Sequence, residues 1–132
     1  MKGVAARITK PLHIGSRLWC DDNTGAKELE ILGVLGYKGT RRKVPKAGIG
    51  DKVVCSVKKG KPEIRKKVVK AIIIRQVKPF RRRNGTLLKF DDNAAVLIDD
   101  TGLPKGTEIK GVVAKEVAER YAKIATIAKN VV

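Results

Sequence analysis

Histidine, cysteine and aromatic residues are scarce in this sequence. Its 132 residues include one histidine, two cysteines and only 4% aromatic residues. The single histidine, His13, leaves no serine or cysteine near a candidate base, so the residues needed for nucleophilic catalysis are missing. The few aromatic rings would not build the stacking platform that single-strand nucleic-acid binders use. We therefore predict that the protein is not an enzyme and that it holds no cofactor and no metal ion.

A secretion signal and a long apolar run are also absent from the sequence. Residues 1–11 contain no apolar segment of the signal-peptide type, and no run approaches the roughly 18 apolar residues of a membrane span. The sequence thus predicts a cytoplasmic protein without membrane contact. Cys20 and Cys55 could form one disulfide, but each lies in a strand-like run, and neither has a partner at metal-ligand spacing. This placement favours buried free thiols in a reducing compartment.

Acidic residues are few, and the basic residues are unevenly placed. The chain has 30 Lys and Arg against 13 Asp and Glu, a net charge of +17, and 42% hydrophobic residues. The length and the hydrophobic content predict one folded domain with its own core. Residues 37–89 hold 19 of the basic residues and only two acids, so the whole net charge lies in this segment. Such segregation of one sign predicts a polyanionic partner.

Three pairs of adjacent aspartates stand out among the acids. They are Asp21-Asp22, Asp91-Asp92 and Asp99-Asp100. A pair could in principle hold a divalent cation, but each one lies near Asn or Gly, where aspartate commonly forms turns. Adjacent residues of a strand would also point to opposite faces of the sheet. We therefore interpret all three pairs as turn formers.

Short alternating or β-branched runs predict a mainly β fold. The predicted strands are residues 16–20, 27–35, 52–58, 68–77, 87–90 and 94–98. In residues 52–58 we expect Val53, Cys55 and Val57 to face inward, whereas residues 68–77 are almost continuously apolar, as expected of a strand covered on both faces. Several short strands at this spacing indicate a small barrel, which also removes exposed sheet edges.

The hydrophobic period changes near the end of the chain. Apolar residues recur every three to four positions from Val113 to Ala128, which predicts an amphipathic helix, or a pair of short helices, packed on the barrel. We place on its outer face Lys115, Glu116, Glu119, Arg120 and Lys123. The predicted organisation is one domain with an N-terminal extension (1–15), a barrel with basic loops (16–98), and a loop with C-terminal helices (99–132).

Basic residues concentrate in two connections and at a predicted hairpin. Residues 36–51 and 58–67 combine glycine with Lys and Arg. Glycine lets the backbone come close to a phosphate, and Lys and Arg neutralise the phosphate charge. Asn84-Gly85 between two apolar runs predicts a hairpin with a type I′ turn, which needs positive φ at both residues. The candidate RNA-binding residues are Lys38, Arg41, Arg42, Lys43, Lys46, Lys58, Lys59, Lys61, Arg65, Lys66, Lys67, Arg75, Lys78, Arg81, Arg82 and Arg83.

Recognition of folded RNA by its backbone and shape fits this pattern best. The sequence has no helix loaded with Arg and Asn for a major groove, and too few rings for base stacking. Two other interpretations of the charge stay open at this point. One is a free-standing basic architectural protein that coats DNA or RNA, and the other is an interaction scaffold for acidic proteins.

An ordered set of motifs covers nearly the whole chain from Arg17 onward. The motifs are DNTGAK (22–27), AGIGD (47–51), VKKG (57–60), AIIIRQ (71–76), FRR (80–82), NG (84–85), FDDNA (90–94), VLI (96–98) and PKGT (104–107). Together they closely resemble the universal family of large-subunit ribosomal protein fourteen. Residues 57–63 and the AER run at 118–120 look like its archaeal and eukaryotic branch. The chain departs from the family's usual Asp-Gly at the hairpin tip, its Gly-Pro-Val at 111–113, and its Trp near Tyr121.

The resemblance implies a specific architecture and set of partners. It implies a closed five-stranded β-barrel with a short C-terminal helical segment, bound to large-subunit rRNA at the face that meets the small subunit. It further implies inter-subunit bridges to small-subunit rRNA and contacts with neighbouring ribosomal proteins, including protein three. In this branch an anti-association factor docks near the same surface. Arg81, Arg82 and Arg83 are accordingly expected to reach RNA phosphate.

Overall fold

The chain folds into a five-stranded β-barrel with three small strand pairs and two short helices. The computed structural model describes residues 8–37, 39 and 44–132. Its elements are β1 (Leu12–His13), β2 (Arg17–Cys20), β3 (Ala26–Val34), β4 (Lys46–Ala47), β5 (Lys52–Gly60), β6 (Val68–Arg75), β7 (Phe80–Arg81), β8 (Leu87–Leu88), β9 (Ala94–Ile98), β10 (Ile109–Val113), α1 (Lys115–Arg120), α2 (Ala122–Ile127) and β11 (Ala128–Val131).

The barrel follows the order β2-β3-β5-β6-β9 and closes on itself. Four of its pairings are antiparallel, and the parallel pairing of β2 with β9 completes the ring, with Trp19 opposite Ala94 and Cys20 opposite Ala95. Closure pairs the strand edges that would otherwise be free to join another chain. The predicted mainly β fold and the closed five-stranded barrel are confirmed.

Alternation of apolar side chains fills the barrel. Leu29 and Ile31 on β3 and Val53, Cys55 and Val57 on β5 are fully buried, while their neighbours are more exposed. Strand β9 and residues 71–75 of β6 are buried throughout. The backbone of Ala114, just after β10, donates a 3.3 Å hydrogen bond to the Ile74 carbonyl, so additional structure lies against β6. The structure that lies on this side of β6 explains why residues 68–77 are almost continuously apolar.

The end of the chain contains two strands that the sequence pattern did not indicate. Two short helices are present, as predicted, but Val113 ends strand β10 and Ala128 begins strand β11. Strands β10 and β11 pair in parallel, and α1 and α2 form the crossover between them. A parallel pair requires such a crossover, because a tight turn cannot bring the second strand back in the same direction.

The predicted hairpin is present, although its turn differs from the predicted type. Strands β7 and β8 are antiparallel, and the Arg82 N–H donates a 2.8 Å hydrogen bond to the Thr86 carbonyl. Gly85 has φ +90°, but Asn84 is not among the residues with positive φ. The type I′ prediction is therefore wrong. Residues 82–86 join the two strands, with Gly85 in the left-handed region, and Asn84 Oδ1 accepts the Thr86 N–H.

The two cysteines are free thiols. Cys55 lies in the barrel interior, and Cys20 is half-buried at the end of β2. Among the residues that the structure describes, no helix is long and apolar enough to cross a membrane.

Candidate nucleic-acid interface

The β5–β6 connection presents a group of unpaired cations. Its backbone makes one helical turn, in which the Ile64 and Arg65 N–H groups donate to the Lys61 carbonyl at 3.1 and 2.9 Å. Lys66 follows with φ +68°, a left-handed conformation that is uncommon for lysine. Lys61, Arg65, Lys66 and Lys67 are exposed, and within the described residues none lies within 4.0 Å of a carboxylate. This connection is therefore available to an anionic partner.

The hairpin presents two further cations that carboxylates do not neutralise. Arg81 and Arg83 are exposed, and Arg81 Nη1 donates a 2.9 Å hydrogen bond to the Gly85 carbonyl across the turn. That bond holds Arg81 beside the loop and leaves its charge uncompensated. Lys78, before β7, is also exposed.

Arg82, between these two arginines, points into the protein. Its Nε and Nη2 donate 2.9 Å hydrogen bonds to the two carboxylate oxygens of Glu116 in α1, and Nη2 also donates to the Val132 carbonyl at 2.6 Å. The side chains of Arg82 and Glu116 are 14% and 5% exposed. The prediction that Glu116 lies on an outer helix face is therefore wrong. Arg82 thus fastens the hairpin to α1 and to Val132, the residue after β11, and Glu116 neutralises its charge.

Arg75 is the second predicted RNA contact that has an internal role. Its guanidinium donates to Asp92 at 2.8 and 3.1 Å, to Asp21 at 2.7 Å, and to the Val112 carbonyl at 3.0 Å. Burial lowers the pKa of Arg75, but the hydrogen bonds to the two aspartates outweigh burial and raise the pKa above its ordinary value. Arg75 thus joins the barrel to β10, and the two aspartates neutralise its charge.

The aspartates of the three pairs therefore have two different roles. Asp22 and Asp99 accept backbone N–H groups within their turns, from Thr24 at 3.2 Å and from Thr101 at 3.0 Å. Asp21 and Asp92 instead hold Arg75. The turn interpretation is correct for the first two aspartates and wrong for the second two, because their charge partner lies far away in sequence.

Lys58 and Lys59 are exposed but paired with glutamates on the barrel surface. Lys58 lies 3.5 Å from Glu30, and Lys59 lies 3.6 Å from Glu28. Arg17 on β2 contacts both glutamates, at 2.7 Å from Glu28 and 3.8 Å from Glu30. The hydrogen bond from Arg17 lowers the pKa of Glu28, and the same bond raises the pKa of Arg17. We call these five residues the charge ladder.

The remaining predicted residues lie in or near the connection between β3 and β5. Lys46 is exposed on β4. Lys38, Arg41, Arg42 and Lys43 lie outside the described residues, so their part in the interface stays a prediction.

A cationic cluster near this connection was missed by sequence reasoning. Lys52 Nζ and the Arg120 guanidinium lie 5.7 and 5.4 Å from the centre of the Tyr121 ring, within cation–π range. The Tyr121 hydroxyl donates a 2.9 Å hydrogen bond to the Gly50 carbonyl, and burial raises the pKa of this hydroxyl. No local pattern joins Lys52 to Arg120, because the two residues meet only when the helices pack against the barrel.

Known proteins similar to this chain are ribosomal. The sequence model of the family described as ribosomal protein L14p/L23e matches residues 12–132. Large ribosomal subunit protein uL14 of Halorubrum lacusprofundi is 56% identical over 132 residues, which is the full length of both chains. The protein of the same name from Methanothrix thermoacetophila is 54% identical over the same span. That of Methanococcus maripaludis is 55% identical over 129 residues, or 98% of each chain. The chain therefore belongs to the ribosomal protein L14p/L23e family, as its sequence motifs predicted.

Proposed function

We propose that this protein is a structural constituent of the large ribosomal subunit that binds large-subunit rRNA through its basic loops. It also helps to form bridges to small-subunit rRNA. Family membership and the names of the full-length relatives support the ribosomal assignment. The relatives are named as proteins of the large ribosomal subunit, and the role proposed for this chain is non-catalytic.

The observation that carries the RNA-binding proposal is the set of exposed, unpaired cations on two connections. Lys61, Arg65, Lys66 and Lys67 lie on the β5–β6 connection, and Arg81 and Arg83 lie on the hairpin. A soluble surface normally mixes both signs, because charges of one sign repel one another. RNA phosphates would supply the missing counter-charge and release counterions from the RNA.

Phosphate contact, with little base stacking, is the proposed mode of recognition. Phe80 is buried in the core, whereas Trp19 is 54% exposed and Tyr37 is 36% exposed. Two exposed rings provide a small stacking surface, so lysine and arginine supply most of the contact. This mode suits folded RNA, in which shape and backbone are read across a groove.

The wider set of partners follows from the same family. We propose contacts with neighbouring ribosomal proteins, including protein three, and with an anti-association factor near the subunit interface. The proposed location is the cytoplasmic ribosome.

Binding to large-subunit rRNA transcribed in vitro tests the role of the β5–β6 connection. The loop variant carries Arg65→Gln, Lys66→Asn and Lys67→Gln, with asparagine chosen because it tolerates positive φ. The paired-lysine variant carries Lys70→Gln, Lys115→Gln and Lys129→Gln, and its lysines lie 3.2, 3.7 and 2.6 Å from carboxylates. Each variant loses three charges.

We expect the loop variant to flatten the log–log salt dependence of binding by about 2, because each phosphate contact contributes about 0.7 to 0.9. The paired-lysine variant should change it by less than about 1. Equal slopes for all three proteins would exclude the connection from the interface. Sedimentation of a cell lysate tests the alternative of an architectural protein outside the ribosome. Co-migration of the protein with the large subunit would support the proposed function, whereas a free or chromosomal pool would favour the alternative.

A further inference from the structure

A cleft lies at one end of the barrel, beside the β5–β6 connection. Its volume is about 430 Å³, within the range of about 300 to 1,000 Å³ typical of small-ligand pockets. The cleft is bounded by the turn between β2 and β3, by the end of β5, and by β10. Its lining residues are Cys20, Asp22, Asn23, Gly25, Ala26, Lys27, Gly60, Lys61 and Lys110.

Three lysines from three separate parts of the chain line this cleft. Lys27 is the second residue of β3, Lys61 follows β5, and Lys110 lies on β10. All three are exposed, and in the described part of the chain none has a carboxylate within 4.0 Å of its ammonium group. Glu108, near Lys110 in sequence, is occupied by Lys129 at 2.6 Å. The cleft is therefore strongly positive.

Two glycines allow the walls of the cleft to come close together. Gly25 has φ +101°, and a Cβ placed on it would lie 2.8 Å from Lys61 Cδ, so the Lys61 stem runs across this glycine. A Cβ on Gly60 would lie 2.8 Å from the Gly25 carbonyl oxygen. The Lys61 N–H donates a 3.1 Å hydrogen bond to the same oxygen. These contacts direct Lys61 along the cleft.

The one carboxylate that lines the cleft is already satisfied. Asp22 is 4% exposed, and its Oδ2 accepts the Leu97 N–H at 2.9 Å. Its Oδ1 accepts the Thr24 hydroxyl at 2.6 Å and the Cys20 thiol at 3.2 Å. Asp22 thus stabilises the turn that forms the wall, and it makes no ion pair with the three lysines.

We propose that this cleft binds one nucleotide of an RNA chain, with its phosphate held by Lys27, Lys61 and Lys110. A phosphate suits a cleft that is lined by three lysines without carboxylate partners, and the glycines in its wall allow close approach of a nucleic-acid backbone. The proposal rests on the RNA-binding function proposed above. It adds a site that could not be predicted from the basic segment 37–89 alone. Lys27 and Lys110 lie outside that segment, and folding brings them to Lys61.

Nuclear magnetic resonance of the full chain tests the site with a defined probe. Uridine 5′-monophosphate should shift the amide signals of Gly25, Lys27, Gly60 and Lys61 in a saturable way. Uridine without phosphate should leave these signals in place. The shifts should disappear in a cleft variant with Lys27→Gln, Lys61→Gln and Lys110→Gln. They should persist in a variant with Lys70→Gln and Lys115→Gln, whose lysines do not line the cleft and pair with Asp100 and Glu119. Shifts spread over all basic surfaces, or shifts that the cleft variant retains, would overturn the site.

Binding of large-subunit rRNA distinguishes an RNA site from a site for free nucleotides. The cleft variant should flatten the salt dependence by about 0.7 to 0.9, the contribution of one phosphate contact. An unchanged slope, with wild-type rRNA binding intact, would overturn the cleft assignment and leave the proposed function standing. Failure of the wild-type chain to bind this rRNA would instead refute the proposed function itself.

Discussion

At the scale of single residues, the same guanidinium group serves opposite purposes in different surroundings. Arg81 and Arg83 are exposed and face no carboxylate among the described residues, whereas Arg75 is enclosed by two aspartates and a carbonyl. In the sequence, Arg75, Arg81 and Arg83 look alike, because the carboxylates that pair with Arg75 lie far from it along the chain. Asp21 precedes Arg75 by 54 positions.

Gly111 is required by the Arg75 cluster. A Cβ at this position would overlap Arg75 Nη1 and Asp21 Oδ2. We expect Gly111→Ala to lower the free energy of unfolding by about 2 kcal/mol or more, because it strains a buried ion pair. Urea denaturation measures this change. The control is Gly33→Ala, where nothing lies within 4 Å of the added Cβ, and a stability close to that of wild type for both variants would contradict the proposed crowding.

The two thiols should be poorly reactive in the native protein. Burial raises the pKa of Cys55 to about 12, and burial together with the Asp22 carboxylate raises the pKa of Cys20 to about 12. The thiolate fraction should fall by about 1,000-fold, because each pKa unit is a factor of ten. Alkylation with iodoacetamide, followed by mass spectrometry, should label both residues in denaturant and neither quickly without it. Rapid native labelling of Cys55 would contradict its position in the core.

The same pKa shifts predict a loss of stability in alkaline solution. The folded pKa values lie near 12 and the ordinary value is 9.0, so the contribution of the neutral thiols is complete below the ordinary value. This contribution decreases as the pH rises towards the folded value, by about 1.4 kcal/mol per pH unit for each thiol. Denaturation of Cys55→Ala over the same pH range is the control, and its stability should decrease less steeply with pH than that of wild type.

At the scale of elements, the ion pair of Arg82 and Glu116 holds the hairpin in place. Removing one partner leaves the other charge buried and should lower stability by about 3 kcal/mol, whereas replacing both with apolar residues should restore part of the loss. A double-mutant cycle of Arg82→Met and Glu116→Met, followed by urea denaturation, measures this coupling. Strictly additive losses would show that the pair makes no energetic contribution.

The two outer arginines should behave in the opposite way. Arg81→Ala with Arg83→Ala should change stability little and flatten the salt dependence of rRNA binding by about 1.5. Arg82→Met should leave that slope unchanged at temperatures at which the variant is folded. A triple alanine variant would combine the two effects, so the residues need to be tested apart.

Local patterns predicted most of the barrel and little of what surrounds it. The strand Ala94–Ile98 has the predicted bounds, since alternation and β-branching report directly on burial. The pairing of β10 with β11 could not be predicted, because the spacing from Val113 to Ala128 also fits a helix. The turn at Asn84-Gly85 is similarly ambiguous, as one dipeptide is compatible with two loop lengths. Lys61 of the cleft was among the predicted RNA contacts, whereas Lys27 and Lys110 lie outside the basic segment and have no sequence signal.

At the scale of the whole molecule, acids determine where a polyanion can bind. The net charge is +17, yet part of the barrel surface is nearly neutral. There the charge ladder places Glu28 and Glu30 against Arg17, Lys58 and Lys59. Exposed ion pairs contribute little to stability, because water screens the two charges. We infer instead that the ladder limits the contact of its three cations with RNA.

Removing the acids of the ladder should make RNA binding less selective. We expect Glu28→Gln with Glu30→Gln to strengthen binding to poly(U), and to steepen its salt dependence by about 1 to 2, because two or three cations become available. The control is Asp100→Asn with Glu119→Gln, which removes two acids that pair with the separate lysines Lys70 and Lys115. Single lysines at distant positions should contribute less than three adjacent cations, since one strand of RNA can contact the adjacent group together. Equal slopes for the two variants would mean that net charge alone, and not its arrangement on the barrel, governs binding.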